Sequence, residues 1–204
     1  MANRIPLESG KYYHIYNRGI NGTRLFYEER NYYFFLEKYA YYTTPVMDTL
    51  AYCLMGNHFH VLVKIKSEAE RTQVRKKSSP KSKYITLDPS RQLGHVFNSY
   101  AQAINKKYGR TGGLFEAAFR RKEVTSEAYL SRLIDYIHKN PEKHGFCNDF
   151  KDYPYSSYHS HLSDQKTKLA RQEVLDWFDG KESYRSFHRS TQDEKQIEKY
   201  IIEI

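Results

Sequence analysis

Three short segments in the first part of the chain are rich in β-prone residues and predict β-strands. They cover residues 11–18, 50–55 and 58–66. The third segment has an alternating pattern. His58 and His60 lie at even-numbered positions, and the apolar residues lie at the odd-numbered ones: Phe59, Val61, Val63 and Ile65. Because neighbouring side chains of a strand point to opposite faces, we expect one face to enter the core and the other to carry both histidines.

Apolar residues at helical spacing predict three helices. They cover residues 29–43, a segment from residue 89 to the loop at 108–113, and residues 127–139. Asn140-Pro141 is expected to stop the third helix. A fourth strand is predicted over residues 115–124, and further amphipathic segments lie around 174–178 and 191–204.

The order of these elements predicts the fold. Gly56-Asn57 fits a two-residue type II′ turn, which would join the second and third strands as an antiparallel hairpin. The order β-α-β-β-α-β-α is typical of an α+β, ferredoxin-like split βαβ sandwich. Its antiparallel sheet has helices on one face, which leaves the histidine face available to a ligand. We assign residues 1–160 to this domain and residues 161–204 to a helical C-terminal extension.

The charge balance favours a polyanionic partner. The 204 residues carry a net charge of +9 at pH 7, which is typical of proteins that bind nucleic acid. Residues 67–84 hold many of the cations and are predicted to form a mobile basic loop. Contact with DNA through Arg75, Lys76 and Lys77 is one interpretation, and a solvated insertion is the other.

Cysteine usage and hydropathy indicate the compartment. The chain has 2 cysteines, too few for a disulfide framework, and no apolar run of membrane-spanning length. We therefore expect a cytoplasmic protein without a membrane segment.

The third predicted helix carries the candidate chemistry. Tyr136 and Asn140 are four residues apart and share a face beside the apolar stripe, and Arg132 lies one turn earlier. A metal at His58 and His60, a phenol nucleophile and a guanidinium together suit phosphodiester cleavage. Arg132 and the cluster Arg120, Arg121 and Lys122 are predicted to bind DNA through its phosphates or to remain solvated.

Each of these residues also has a structural interpretation. For His58 and His60 the structural interpretation is a hydrogen-bonded pair on a sheet face, and for Tyr136 it is one rim tyrosine among 20. Asn140 is favoured at a helix end before Pro141.

Three separated motifs carry a family resemblance. They are Tyr13-His14-Ile15-Tyr16-Asn17-Arg18-Gly19, the hairpin from Ala51 to Val63, and Asp135-Tyr136-Ile137-His138-Lys139-Asn140-Pro141-Glu142-Lys143-His144-Gly145. In this order they resemble the single-tyrosine HUH transposases, and most closely the REP-associated tyrosine transposases. Gly56 stands where that family commonly has proline, which is expected to alter only the turn.

The resemblance implies a ferredoxin-like core, a divalent metal (Mg²⁺ or Mn²⁺) and cleavage and rejoining of single-stranded DNA next to hairpins. It implies metal-binding roles for His58, His60 and Asn140. It also implies that Tyr136 is the nucleophile that forms a 5′-phosphotyrosine.

Two alternative functions share some of these features. A domesticated protein that binds hairpin DNA or RNA without turnover would explain the charge. A metal-dependent hydrolase with water as the nucleophile would make Tyr136 dispensable. A monomer is favoured over a homodimer, because the C-terminal extension would cover surface that could otherwise pair.

Overall fold

A four-stranded antiparallel sheet forms the centre of the molecule, with strand order β2-β3-β1-β6. The computed structural model describes residues 5–75, 84–116 and 118–190. The strands are β1 (Tyr12–Arg18), β2 (Met47–Met55), β3 (His58–Ile65) and β6 (Arg120–Val124). With α1 (Glu29–Thr43) and α2 (Pro89–Tyr108) between them, these elements confirm the predicted ferredoxin-like fold.

The face of the sheet that lacks the histidines packs against α1 and α2. Phe59, Val61 and Val63 lie in one core cluster with Phe35 of α1 and Tyr100 of α2. Asp88 caps α2 by accepting a hydrogen bond from the backbone N–H of Arg91 at 2.8 Å. The predicted division of β3 into an apolar face and a histidine face is therefore correct.

The histidine face is also covered, which corrects the prediction of helices on one face only. The third helix, α3 (Glu127–Lys143), packs its apolar stripe against residues of β2 and β3. The same core includes residues of α5 (Arg171–Trp177) and α6 (Lys181–Arg189), with α4 (Tyr158–Leu162) beside them. Described residues beyond residue 160 thus share a core with the sheet.

Helix α3 continues through Pro141, where the sequence predicted its end. Proline has helical φ but no backbone N–H, so at Pro141 the helix lacks the hydrogen bond to the carbonyl of Ile137. The helix closes with Gly145 at φ +70°, whose N–H donates to the carbonyl of Glu142 at 3.0 Å. The N–H of Phe146 donates to the carbonyl of Pro141 at 2.8 Å. These two bonds form a Schellman motif and fix the backbone of residue 146.

Two turn predictions need correction. Neither Gly56 nor Asn57 has a positive φ, so their turn is not type II′. Within the basic segment, β4 (Gln73–Arg75) pairs with β5 (Tyr84–Thr86) as a short hairpin that was predicted to be loop. Lys76 and Lys77 lie outside the described residues, as does the predicted helical segment 191–204.

A second histidine cluster, comprising His138, His161 and His188, lies in the core between α3 and the C-terminal helices. His138 Nδ1 lies 2.9 Å from His188 Nε2, and His138 Nε2 lies 2.8 Å from Ser157 Oγ. All three histidines are almost fully buried. The cluster therefore connects α3 to segments that lie later in the chain.

We expect mild acid to destabilise the fold through this cluster. Burial lowers the pKa of His161 to about 4 and that of His188 to about 3. In the unfolded chain these groups titrate near ~6.5, so as pH falls the unfolded state binds protons that the folded state cannot. Stability is complete above about pH 6.5, and each group should cost about 2 kcal/mol at pH 5.

Urea unfolding at pH 7.5 and pH 5 measures this loss. His161→Gln should shrink the difference between the two pH values, whereas His95→Gln, at an exposed position of α2, should leave it unchanged. Equal stability of the wild-type protein at both pH values would contradict the prediction.

Among the described residues, no helix combines the length and the apolar character needed to cross a membrane.

Candidate active site

His58 and His60 lie side by side on the covered face of the sheet. Their ring centroids are 5.4 Å apart in an edge-to-face arrangement. His58 is 7% exposed and His60 is 2% exposed. The i, i+2 spacing on β3 thus brings the two imidazoles together, as the sequence predicts.

Each histidine has a polar partner at Nδ1. His58 Nδ1 lies 2.7 Å from Asn57 Oδ1, and His60 Nδ1 lies 2.9 Å from Nε2 of His14. In metal sites the second ring nitrogen of a ligating histidine is held by such a partner. These contacts leave Nε2 of both rings for a ligand.

Burial keeps these rings neutral near pH 7. Burial, together with the neighbouring His144, lowers the pKa of His58 to about 4. Burial also lowers the pKa of His60 well below its ordinary value and that of His14 to about 3. Neutral imidazole is the form that binds a metal ion.

Helix α3 brings Tyr136 and Asn140 to the two histidines. The Tyr136 ring lies 5.8 Å from the His60 ring in an edge-to-face arrangement. The Asn140 side chain is beside His58, whose pKa it raises against the effect of burial. The four side chains therefore converge at one place, with the half-buried Arg132 one turn before Tyr136 on α3.

The carboxamide of Asn140 is poorly satisfied. The residue is fully buried, and neither Oδ1 nor Nδ2 makes a hydrogen bond of normal distance and angle, although the side chain lies close enough to His58 to raise the pKa of its imidazole. A buried amide whose polar atoms are poorly bonded costs free energy. Two neutral imidazoles and an amide oxygen are suitable ligands for a divalent ion, so these residues fit the metal that the sequence resemblance implies. Within the described ranges, no three His, Cys, Asp or Glu side chains are grouped to hold a metal, so the proposed set depends on Asn140.

The predicted DNA-binding cations lie on different faces of the molecule. Arg120 extends to the hydroxyl of Tyr16 on the histidine face, and Lys122 lies near His14. Arg121 lies on the opposite face, where its Nη1 donates to Ser90 Oγ at 2.8 Å. Arg75 is the last residue of β4. Of these four cations, the structure therefore places two beside the candidate site, Arg120 and Lys122.

The sequence interpretation missed two histidines of this site. The His14 side chain supports His60, and the His144 ring lies 5.2 Å from the His58 ring. The pairing of β1 with β3 places His14 opposite Leu62, on the histidine face. Alternation along β1 could have indicated this position, but the pairing of the strands was needed to connect it to His60.

Comparisons with known proteins agree with the sequence motifs. A REP-associated tyrosine transposase from Haemophilus influenzae is 28% identical to this chain over 112 residues. The chain resembles the REP-associated tyrosine transposases. The match spans 55% of this chain and 59% of that relative, and no family model matches the chain.

The fold supports the same resemblance. The structure of a REP-associated tyrosine transposase bound to a REP hairpin matches with a TM-score of 0.61 and 14% identity. That match covers 80% of this chain and 86% of the transposase. A bacterial tRNA(His) guanylyltransferase-like protein in complex with GTP gives a TM-score of 0.42 and 12% identity over 70% of this chain and 67% of that protein. The first match places this chain in the fold of the REP-associated tyrosine transposases.

Proposed function

We propose that this protein nicks and rejoins single-stranded DNA next to hairpins, with Tyr136 as the nucleophile and a divalent metal, Mg²⁺ or Mn²⁺, as cofactor. The observation that carries the proposal is the convergence of the Tyr136 ring and the buried Asn140 amide on His58 and His60. The similarity to REP-associated tyrosine transposases supports the choice of substrate.

His58, His60 and Asn140 would hold the metal, which supplies charge that polarises a phosphate oxygen when bound. Asn57 and His14 orient the two imidazoles. The burial of His58 and His60 keeps bulk water away from the ring nitrogens.

Tyr136 forms the covalent bond. Its hydroxyl oxygen attacks phosphorus and loses its proton, a Tyr–O–P bond forms, and the bond from phosphorus to the 3′ oxygen breaks. The products are a 5′-phosphotyrosine and a strand with a free 3′-OH. Attack by a 3′-OH on the phosphotyrosine reverses the exchange and restores the phenol, so no net oxidation or hydrolysis is needed. The Lys143 ammonium lies 5.9 Å from the centroid of the Tyr136 ring, where it favours the negative charge that develops.

The test is a covalent adduct. Purified protein is incubated with labelled single-stranded hairpin DNA and Mg²⁺ or Mn²⁺ and separated on a denaturing gel. A labelled band at the size of protein plus DNA is expected. Binding without an adduct across a panel of hairpins would instead favour the binding protein without turnover, and cleavage without an adduct would favour a hydrolase that uses water.

Binding should weaken steeply as salt rises, because phosphate contacts release counterions. For about four contacts to a single strand, affinity should fall roughly 50-fold between 50 and 200 mM salt. Fluorescence anisotropy with labelled hairpin DNA measures the slope. Arg120→Gln should reduce the slope, whereas Arg121→Gln, on the opposite face of β6, provides the matched control and should not. A flat response of the wild-type protein would contradict a phosphate interface.

A further inference from the structure

Phe146 is an apolar side chain left partly in solvent beside the candidate active site. It is 43% exposed, and its ring centroid lies 6.2 Å from that of His58. Among the described residues the other large exposed apolar or aromatic side chains are Ile5, Ile20, Tyr33 and Tyr41. Of these five exposed side chains, Phe146 is the one whose ring contacts a candidate metal ligand, His58.

The position of Phe146 is fixed by its backbone. The Schellman motif at the end of α3 holds its N–H 2.8 Å from the carbonyl of Pro141. The side chain after such a motif frequently packs back on its own helix. Here the ring also contacts His58 and Tyr153, and the centroid of the Tyr153 ring lies 6.5 Å away.

The turn between β2 and β3 leaves space for this ring. A Cβ on Gly56 would lie 3.3 Å from Cε1 of Phe146, closer than the optimal carbon–carbon separation of about 3.5–4.0 Å. Glycine at this position, where the related family commonly has proline, therefore has a consequence beyond the turn. It allows the ring to lie against the turn.

An exposed aromatic ring is a platform on which proteins stack a base of single-stranded nucleic acid, while cations elsewhere in the same groove contact the phosphates. The ammonium of Lys143, on the helix that ends beside Phe146, lies 5.9 Å from the centroid of the Tyr136 ring.

We propose that Phe146 stacks on one nucleobase of single-stranded DNA adjacent to the phosphate that Tyr136 attacks. The inference rests on the proposed function and adds a base-binding subsite to it. Phe146 is thus a positioning residue, because a base held against its ring fixes where the neighbouring phosphate lies relative to Tyr136.

The test removes bases one at a time. The probe is a labelled DNA hairpin with a ten-nucleotide single-stranded flank, selected from a pool of random flanks for binding to the wild-type protein. All binding measurements use the Tyr136→Phe background, so that the probe stays intact. Replacing the stacked nucleotide by an abasic one should weaken binding about 10-fold to 100-fold at one flank position.

Phe146→Ala should abolish the effect at that position and leave the effects of the other abasic positions unchanged. Phe146→Trp should preserve it, because a larger ring also stacks. Tyr41→Ala is the matched control, since that aromatic ring is 71% exposed on α1 and should not change the profile. Thermal melting confirms that each variant is folded.

An unchanged abasic profile in Phe146→Ala, or equal weakening at every position, would overturn the stacking role. The adduct assay with Tyr136 present separates this failure from that of the proposed function. If the wild-type protein forms an adduct and Phe146→Ala does not change the abasic profile, only the proposal of a base-binding subsite is wrong. If the wild-type protein binds no flank from the pool and forms no adduct, both proposals fall.

Discussion

Tyr136→Phe is expected to abolish the covalent protein–DNA adduct while hairpin binding changes less than about threefold. The substitution removes only the hydroxyl that forms the bond to phosphorus, and loss of a nucleophile costs roughly 10⁴-fold or more in rate. Tyr136 is only partly buried, so part of its side chain is open to solvent. Denaturing gels measure the adduct, and anisotropy measures binding.

Tyr16 provides a demanding control for this prediction. Its ring centroid lies 5.8 Å from that of His60, the same separation as for Tyr136. Tyr16 is 4% exposed, however, and burial raises the pKa of its hydroxyl. Tyr16→Phe should therefore keep the adduct. An adduct that survives Tyr136→Phe, or that disappears in Tyr16→Phe instead, would assign the nucleophile elsewhere.

Loss of the metal is expected to be equally severe. EDTA should stop adduct formation, and so should His58→Ala, because the remaining groups cannot hold a divalent ion. Binding of Mn²⁺ can be measured without DNA, since a ligand at ten times its Kd stabilises the fold by about 1.4 kcal/mol. For a protein of this size that is a rise of roughly 3–6 °C in melting temperature. The rise should vanish in His58→Ala and persist in His95→Ala, at an exposed position of α2.

A substitution of Asn140 can distinguish a metal-ligand role of this residue from a purely structural role. Asn140→Leu removes a buried amide that makes no hydrogen bond of normal geometry, so without metal the variant should be as stable as the wild-type protein or more stable, by up to about 2 kcal/mol. The same variant should lose the Mn²⁺-dependent rise in melting temperature. A variant that keeps the rise, or that is strongly destabilised without metal, would contradict the ligand role.

Local spacing explains why so much of the candidate site could be predicted from the sequence. The relation between His58 and His60 depends only on strand alternation, and that between Tyr136 and Asn140 only on the helical repeat. The resemblance of the motifs joined the two pairs, and the structure brings the four side chains together. The roles of these residues remain predictions that the variants above test.

Features that depend on distant contacts were not predictable in the same way. Helix α6 places Tyr184 and His188 in the core but is otherwise strongly polar. Because its apolar stripe is short, the sequence pattern did not predict this helix. The β4–β5 hairpin has only three residues in each strand. Helix α3 lies on the histidine face because its stripe meets a second apolar surface on β2 and β3, at Cys53, Met55 and Leu62. That surface could not be recognised before the strand pairing was known.

The second histidine cluster has a consequence for the order in which the molecule is assembled. His138 is two residues from Tyr136, yet its partner His188 follows it by 50 residues. A nascent chain that has emerged only as far as α3 already contains every proposed metal ligand, the nucleophile and the β2 and β3 residues on which α3 packs, but not His188. The support of α3 by the later helices therefore forms only after the proposed active-site residues have been synthesised, and a chain terminated at α3 would carry the chemical groups on a less firmly held tyrosine helix.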